Sequence, residues 1–213
     1  MFLNRIVFFN KIGLLICLWL LAGGICAQEL KKEQDGQVRF DDVYRLGLLF
    51  PNATGSTIMA EAYSFKTGFL VDARVFFNNK WFGGFQLRRF NAEVIAPELV
   101  GNFDETKITD IGILAGYSVF GKESPFSLEM DLGMGYVGYR NGFSDIETRF
   151  SDSGLSIITG LSVTQGLNKT LGMFCQLHYQ RHFLNIETSS IIKRDLNNVS
   201  FILLSFGLTA QFY

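Results

Sequence analysis

His178 and His182 are the only histidines of the sequence, and they stand four positions apart. On a helix this spacing would place both imidazoles on one face, as in a metal-ligand pair. In a strand the same spacing separates them by about 13 Å, which is too far for both to bind one metal ion. The segment around them alternates apolar and polar residues, which predicts a strand. We therefore expect neither a metal site nor another cofactor.

Charged and amide side chains form a second group with chemical potential, because they recur at alternate positions of otherwise apolar segments. Carboxylates and guanidinium groups could form buried ion pairs there, or could line a path for protons or ions. Which role applies depends on the elements that hold them. Together with the two histidines, the group comprises Arg45, Asp72, Arg74, Arg88, Asp110, Glu129, Asp131 and Gln176.

Eight segments of the chain show a period of two, which is the period of a β-strand. In the clearest of them, Met130 and Leu132 alternate with Glu129 and Asp131. The predicted strands are 42–51, 67–78, 81–90, 109–120, 126–140, 154–164, 170–183 and 199–212.

The connections between these strands are alternately long and short. Those after the second, fourth and sixth strands hold only a few residues, whereas those after the others are long. Short turns on one rim and long loops on the other are typical of outer-membrane barrels, whose long loops lie outside the cell. The long connections are 52–66, 91–108, 141–153 and 184–198.

A soluble β-sandwich would also show alternation, with its apolar faces buried in a core. The long predicted strands and the one-sided loop lengths favour a transmembrane barrel, in which the apolar faces meet lipid and the polar faces point inward. The predicted fold class is an all-β, eight-stranded antiparallel transmembrane barrel, arranged as an up-and-down meander. Aromatic residues near the strand ends predict a girdle at each interface: Phe77, Trp81, Phe126 and Phe212 beside the short turns, and Tyr136 and Tyr179 towards the long loops.

Residues 1–27 have the layout of a secretory signal peptide, with Arg5 and Lys11 before an apolar run and Ala27 at the expected cleavage site. Cys26 raises the alternative of a lipoprotein, but the residue before it is the bulky Ile25. Residues 28–41 are polar and without periodicity, which predicts a flexible periplasmic tail. The barrel is expected to comprise residues 42–213, with Cys175 as its lone cysteine.

The sequence resembles the small eight-stranded outer-membrane β-barrels that are labelled porin-like in the Bacteroidetes. The resemblance rests on Gln28 after the expected cleavage site, on the glycine-spaced segment 132–136 (LGMGY) and on the aromatic end formed by Phe212 and Tyr213. It implies an exported protein of the Gram-negative outer membrane, but it implies no reaction. Some barrels of this group are components of secretion and gliding assemblies.

The polar group is interpreted as a structural network, because the interior of an eight-stranded barrel is just wide enough for side chains to fill. An enzymatic alternative comes from a likeness to lipid A deacylase barrels, whose late-strand signature is His-x-Ser followed by Asn. Here His182 is followed by Leu184 and Asn185, with Glu187 nearby, so the nucleophilic serine is missing. Ser189 or Ser190 could replace it only if the loop folded back.

The expected function is therefore a non-enzymatic, structural or interaction role in the cell envelope, which includes membership of an envelope or secretion assembly. The alternatives are a lipid A-modifying hydrolase or acyltransferase and a small-molecule binding barrel. Expected partners are outer-membrane lipid, including lipopolysaccharide, and a protein contacted through the long loops. With 19 basic and 20 acidic residues, the chain offers no electrostatic footprint for nucleic acid. The barrel is expected to be monomeric.

Overall fold

The computed structural model describes residues 41–55, 57–101, 104–120, 124, 126–142, 149–185 and 197–212. The predicted signal peptide, the predicted tail up to residue 40 and the C-terminal Tyr213 lie outside the described residues. Among those described, no helix is long and apolar enough to cross a membrane.

Eight long strands form a closed antiparallel β-barrel, as the alternation predicted. Their side chains sort by parity: apolar residues such as Leu132 and Met134 on β6 are exposed, whereas Glu129 and Asp131 on the same strand are buried. The eight strands are β1 (Asp41–Thr54), β3 (Gly68–Phe76), β4 (Trp81–Val94), β5 (Glu105–Ser118), β6 (Phe126–Gly142), β7 (Arg149–Gly166), β8 (Leu171–Leu184) and β9 (Asn198–Phe212). One further short strand, β2 (Tyr63–Phe65), lies in the first long connection.

The barrel is a meander, because each long strand pairs with its neighbours in sequence. Closure comes from β1 and β9, which pair from Asp42 opposite Phe212 to Thr54 opposite Ser200. Since each of the eight long strands pairs with a neighbour on both sides, the wall of the barrel has no edge strand that would expose its backbone groups to lipid. Both ends of the described chain lie on the rim of the short turns.

The strands reach further towards the long-loop rim than the sequence predicted. β4 and β5 remain paired up to Glu93 opposite Glu105, and β5 and β6 up to Glu105 opposite Gly142. The alternation of apolar residues fades in these extensions, but the backbone ladder continues because each strand still has a neighbour that supplies hydrogen bonds. The long connections are correspondingly shorter than expected.

The first long connection contains a short helix, α1 (Thr57–Ala62), and β2, neither of which the sequence predicted. β2 pairs with the far end of β4, Tyr63 lying opposite Val94. The second long connection contains a single helical turn, α2 (Pro97–Val100). Burial raises the pKa of the Tyr63 phenol above its ordinary value, so the phenol stays protonated and accepts a 3.5 Å hydrogen bond from the Thr106 hydroxyl.

Two apolar clusters occupy the two ends of the lumen. Near the short turns, a small cluster consists of Val43, Phe76, Phe82 and Leu114. At the long-loop end, the first connection packs on the barrel mouth, where Met59, Ala62 and Tyr63 join a larger cluster of buried strand residues that includes Phe90 and Phe201. Buried polar residues lie beside both clusters, Ser118 and Ser127 near the short turns and Thr106 and Asn141 near the long loops.

Candidate functional site: the polar network of the lumen

The ten polar residues singled out from the sequence all point into the barrel, and each has a relative exposure of 5 % or less. They reach the lumen from six strands, because inward positions recur at every second residue of each strand. They are Arg45, Asp72, Arg74, Arg88, Asp110, Glu129, Asp131, Gln176, His178 and His182.

Glu129 on β6 is the acceptor that joins two arginines. Its carboxylate accepts hydrogen bonds from Nη2 of Arg45 at 2.8 and 3.0 Å, and from Nη1 of Arg74 at 2.6 Å. The hydroxyl groups of Ser127 and Ser162 donate to the same carboxylate at 3.0 and 3.3 Å. Because β1, β3, β6 and β7 all contribute, Glu129 links opposite walls of the barrel.

Arg74 is the cation with the most carboxylate partners among the described residues. Its Nε and Nη2 donate to Asp72, with the shortest contact at 2.7 Å, and Nη2 also lies 3.3 Å from Asp131. His178 donates from Nε2 to Asp131 at 2.9 Å. The Arg74 guanidinium also lies over the Phe82 ring at 4.7 Å, which adds a cation–π contact with the small apolar cluster near the short turns.

Amide side chains complete the coordination of Asp72. Gln86 and Gln176 each donate from Nε2 to the same carboxylate oxygen, at 2.9 and 3.0 Å. Three carboxylates, two guanidinium groups and an imidazole are thus joined in one network of charge-assisted hydrogen bonds. Groups of this kind are stable away from water only when each charge has such partners.

Arg88 and Asp110 form a second, looser pair nearer the long-loop rim. Arg88 Nη1 and Asp110 Oδ1 are 3.8 Å apart, which is an ion pair without a hydrogen bond. Arg88 donates from Nη2 to Gln86, and Ser156 donates to Asp110 at 2.5 Å. Among the described residues, Nε of Arg88 has no hydrogen-bond partner. The network is therefore tight around Glu129 and looser around Arg88.

His182 lies between the Arg88–Asp110 pair and the apolar cluster at the long-loop end of the lumen. Its Nδ1 is 2.7 Å from the Tyr139 hydroxyl, and its ring packs 5.1 Å from Phe201. Leu184 also points inward, whereas Asn185 is exposed at the rim. Glu187, Ser189 and Ser190, on which the hydrolase alternative depends, lie outside the described residues.

The sequence interpretation missed several partners of the network. Ser127 and Tyr139 share the inward parity of Glu129 and Asp131 on β6, and Ser162 shares that of the buried Ser156 on β7, so the signal was present in the alternation. Small hydroxyl groups and a tyrosine on an inward face do not by themselves indicate a network, because such residues are common in strands of many kinds. In the structure, they supply hydrogen bonds that the charged groups need.

No group of three or more histidine, cysteine or acidic side chains in the described residues is arranged to hold a metal ion. The acids of the network are instead bonded to arginines and amides. What the arrangement can do chemically is to hold charges in fixed positions and to tie distant strands together.

At Gly160 the backbone of β7 lies so close to the His178 ring that a side chain would not fit. A Cβ at this position would overlap the His178 ring and lie 2.7 Å from the Leu177 carbonyl oxygen. We expect Gly160→Ala to lower the free energy of unfolding by roughly 1–3 kcal/mol, because His178 would be displaced from Asp131. Urea unfolding of the refolded barrel, followed by Trp81 fluorescence, measures the change.

Gly138 on β6 is the matched control, since nothing lies within 4 Å of a Cβ placed there. Gly138→Ala should change the free energy of unfolding by no more than about 0.5 kcal/mol. Equal losses for the two variants would show that the approach of Gly160 to His178 has no energetic importance.

The six predicted girdle residues lie on the outer surface. Their positions on the wall follow the strand ends, with Tyr136 and Tyr179 towards the long loops and the others near the short turns. Five of the side chains are more than two-fifths exposed: Phe77, Trp81, Tyr136, Tyr179 and Phe212. The sixth, Phe126, is half-buried and packs against Phe120.

Comparison with solved structures identifies the architecture. Neisserial surface protein A matches with a TM-score of 0.56 and 15% identity, over 81% of this chain and 97% of its own. The fold is that of a small outer-membrane β-barrel. A major outer membrane protein from Thermus thermophilus matches with a TM-score of 0.54 and 12% identity, over 81% of this chain and 99% of its own.

A third small outer-membrane β-barrel, OprG from Pseudomonas aeruginosa, matches with a TM-score of 0.52 and 14% identity, over 84% of this chain and 98% of its own. No protein-family model matches the chain. No curated protein matches it either. The predicted resemblance to small eight-stranded outer-membrane barrels is confirmed at the level of the fold, and the attribution to a Bacteroidetes group stays a prediction.

Proposed function

We propose that this protein is a closed, non-enzymatic barrel of the Gram-negative outer membrane, with a structural or interaction role in the cell envelope. The observation that carries the proposal is the filled lumen. The Glu129 network ties opposite walls together, and an apolar cluster lies at each end of the lumen. We infer that a lumen filled in this way by the described residues has no continuous aqueous path.

The outer surface supports the membrane placement. Large apolar side chains are exposed all around the wall, for example Leu46 at 63%, Leu132 at 63% and Leu208 at 62%. A soluble protein would not expose a continuous apolar belt, whereas a transmembrane barrel requires one. Residues 1–27 would direct the export that this location requires.

We expect the purified protein to conduct no ions when it is reconstituted in a planar lipid bilayer. The physical reason is that ions would have to pass the apolar clusters at the two ends of the lumen and break the contacts of Glu129, Arg45 and Arg74. Single-channel recording checks this, with a porin of known conductance in the same bilayer as a control. Stable open steps in the protein's own recordings would overturn the closed-barrel proposal.

The position of His182 argues against the hydrolase alternative. Its ring is buried in the lumen and faces Tyr139, whereas the acyl chains of outer-membrane lipids lie on the other side of the wall. A hydrolase would need its imidazole next to a nucleophile and within reach of the substrate. The non-enzymatic proposal therefore agrees better with the geometry.

Purification from the native outer membrane in mild detergent tests both parts of this proposal. We expect a protein partner to accompany the barrel in stoichiometric amount, and we expect the lipid A of wild-type cells to equal that of a deletion strain. Mass spectrometry measures both. Lipid A that loses an acyl chain only when the protein is present, and not in a His182→Ala strain, would make the protein an enzyme.

A further inference from the structure

A concave recess of about 530 Å³ lies on the outer surface of the barrel, near the long-loop rim. It is lined mainly by outward residues of three adjacent strands, β4, β5 and β6, and at the rim by Asp104 and Asn141. Its walls include three basic residues, Arg89, Lys107 and Arg140, with Thr109 and Tyr136 beside them. The recess therefore opens sideways from the wall and not into the lumen.

The basic residues are placed against each other. Lys107 lies directly opposite Arg140 in the register of β5 and β6, and both are exposed. Arg89 pairs with Thr109, two positions from Lys107, so it is the diagonal neighbour of Lys107 across β4 and β5. Like charges directly opposite each other on neighbouring strands destabilise a sheet. Such an arrangement becomes favourable when an anion is bound between the cations.

Two carboxylates also line the recess, Asp104 and Glu105. Glu105 lies 3.9 Å from Lys107, with both side chains partly exposed, so this contact offsets the repulsion only weakly. Among the described residues that line the recess, the three cations outnumber the two acids. The acids lie beside the rim, and the side of the recess towards the middle of the wall is formed by Arg89, Thr109 and apolar groups.

On the side of the cations that faces the middle of the wall, the recess continues into the exposed apolar belt. Ile111 lies opposite Tyr136, and the next outward pair on the same strands is Ile113 opposite Met134. Ile113 and Met134 are 63% and 65% exposed. The recess thus has cations towards the long-loop rim, a tyrosine at the boundary and aliphatic groups towards the middle of the wall. This order matches an amphipathic ligand with an anionic head and apolar chains.

We propose that this recess binds the phosphorylated headgroup of an outer-leaflet lipid, with Arg89, Lys107 and Arg140 contacting the phosphate and the acyl chains lying over Ile113 and Met134. Guanidinium groups suit a phosphate because they can donate two parallel hydrogen bonds to it. The proposal rests on the outer-membrane placement proposed above. It identifies lipid as a specific partner of one side of the barrel.

The test is native mass spectrometry of the full-length protein in detergent, titrated with diphosphorylated lipid A. Dephosphorylated lipid A, phosphatidylcholine and inorganic phosphate are the comparison probes. We expect binding of diphosphorylated lipid A, and a loss of about 10-fold or more in affinity for the double variant Lys107→Gln, Arg140→Gln, which removes two charge-assisted contacts. Gly138→Phe, which fills the recess without removing a charge, should weaken binding similarly.

Arg181→Gln is the matched control, because Arg181 is also an exposed outward arginine but lies on β8, away from the recess. It should leave lipid A binding unchanged. Equal binding by the wild type and the double variant, equal binding of phosphorylated and dephosphorylated lipid A, or equally strong binding of inorganic phosphate alone would overturn the proposal. Failure of the wild type to insert into lipid vesicles would instead overturn the membrane placement, so the two failures are distinguishable.

Discussion

Glu129→Gln is expected to lower the free energy of unfolding of the barrel by roughly 3–5 kcal/mol, which is the usual cost of removing one partner of a buried ion pair. Arg45 would lose its only carboxylate hydrogen bonds among the described residues, and the new amide nitrogen would face a guanidinium group. Both arginine side chains are fully buried, so water cannot replace the lost charge. Urea unfolding in detergent micelles or lipid vesicles, followed by Trp81 fluorescence, gives the value.

Glu93→Gln is the matched control for this substitution. Glu93 pairs with Lys66 at 3.1 Å, but both side chains are more than half exposed. Exposed pairs contribute at most about 1 kcal/mol, so this variant should lose less than that. A loss from Glu129→Gln no larger than that from Glu93→Gln would contradict a stabilising role for the lumen network.

A double-mutant cycle measures the interaction energy between Arg45 and Glu129 separately from their contacts with other residues. Arg45→Met combined with Glu129→Gln should cost less than the sum of the two single losses, because the second change removes a group that the first has already left unpaired. Strict additivity would mean that Arg45 and Glu129 do not depend on each other, despite their 2.8 Å contact.

Leu132→Arg is expected to lower the free energy of unfolding in lipid vesicles by about 2–4 kcal/mol, the cost of a cationic residue at the middle of the bilayer on the outside of a barrel. On β6, Leu132 lies between Phe126 and Tyr136, the two girdle residues of that strand, and it is 63% exposed. On the surface of a soluble protein the same change would have little effect. Equilibrium unfolding from vesicles measures the difference.

Leu155→Arg is the control for the depth of the substituted residue in the bilayer. Leu155 is just as exposed, at 67%, but it lies opposite Tyr136 in the register of β6 and β7 and is therefore near the interface. Its substitution should cost at most about 1 kcal/mol. If both leucines tolerated arginine equally well in vesicles, the exposed apolar surface would not be facing lipid.

The alternation of residue types determined most of the architecture. On β6, Glu129 and Asp131 had to share one face and Met130 and Leu132 the other, because successive side chains of a strand point to opposite sides. The alternation of long and short connections then indicated a barrel with two different rims. Local patterns of this kind are visible in a single sequence because they depend only on neighbouring residues.

The ends of the strands could not be predicted in the same way. Residues 91–93 and 105–107 lack a clear apolar alternation, yet they pair with each other at the long-loop ends of β4 and β5. Pairing continues there because two backbones already lie side by side, which is a property of the assembled sheet. For the same reason α1 and β2 were missed: they are held by the barrel mouth, through Met59, Ala62 and Tyr63.

The sequence by itself determined which polar side chains enter the lumen, whereas only the tertiary structure decided which of them meet. Arg45 and Glu129 are 84 positions apart and come from different sides of the barrel, and their contact depends on how the closing register between β1 and β9 aligns the strands. On the outside, the register of β5 and β6 likewise places Lys107 opposite Arg140. Parity along a strand is a local property, but contacts across a closed barrel depend on the relative shift of all its strands.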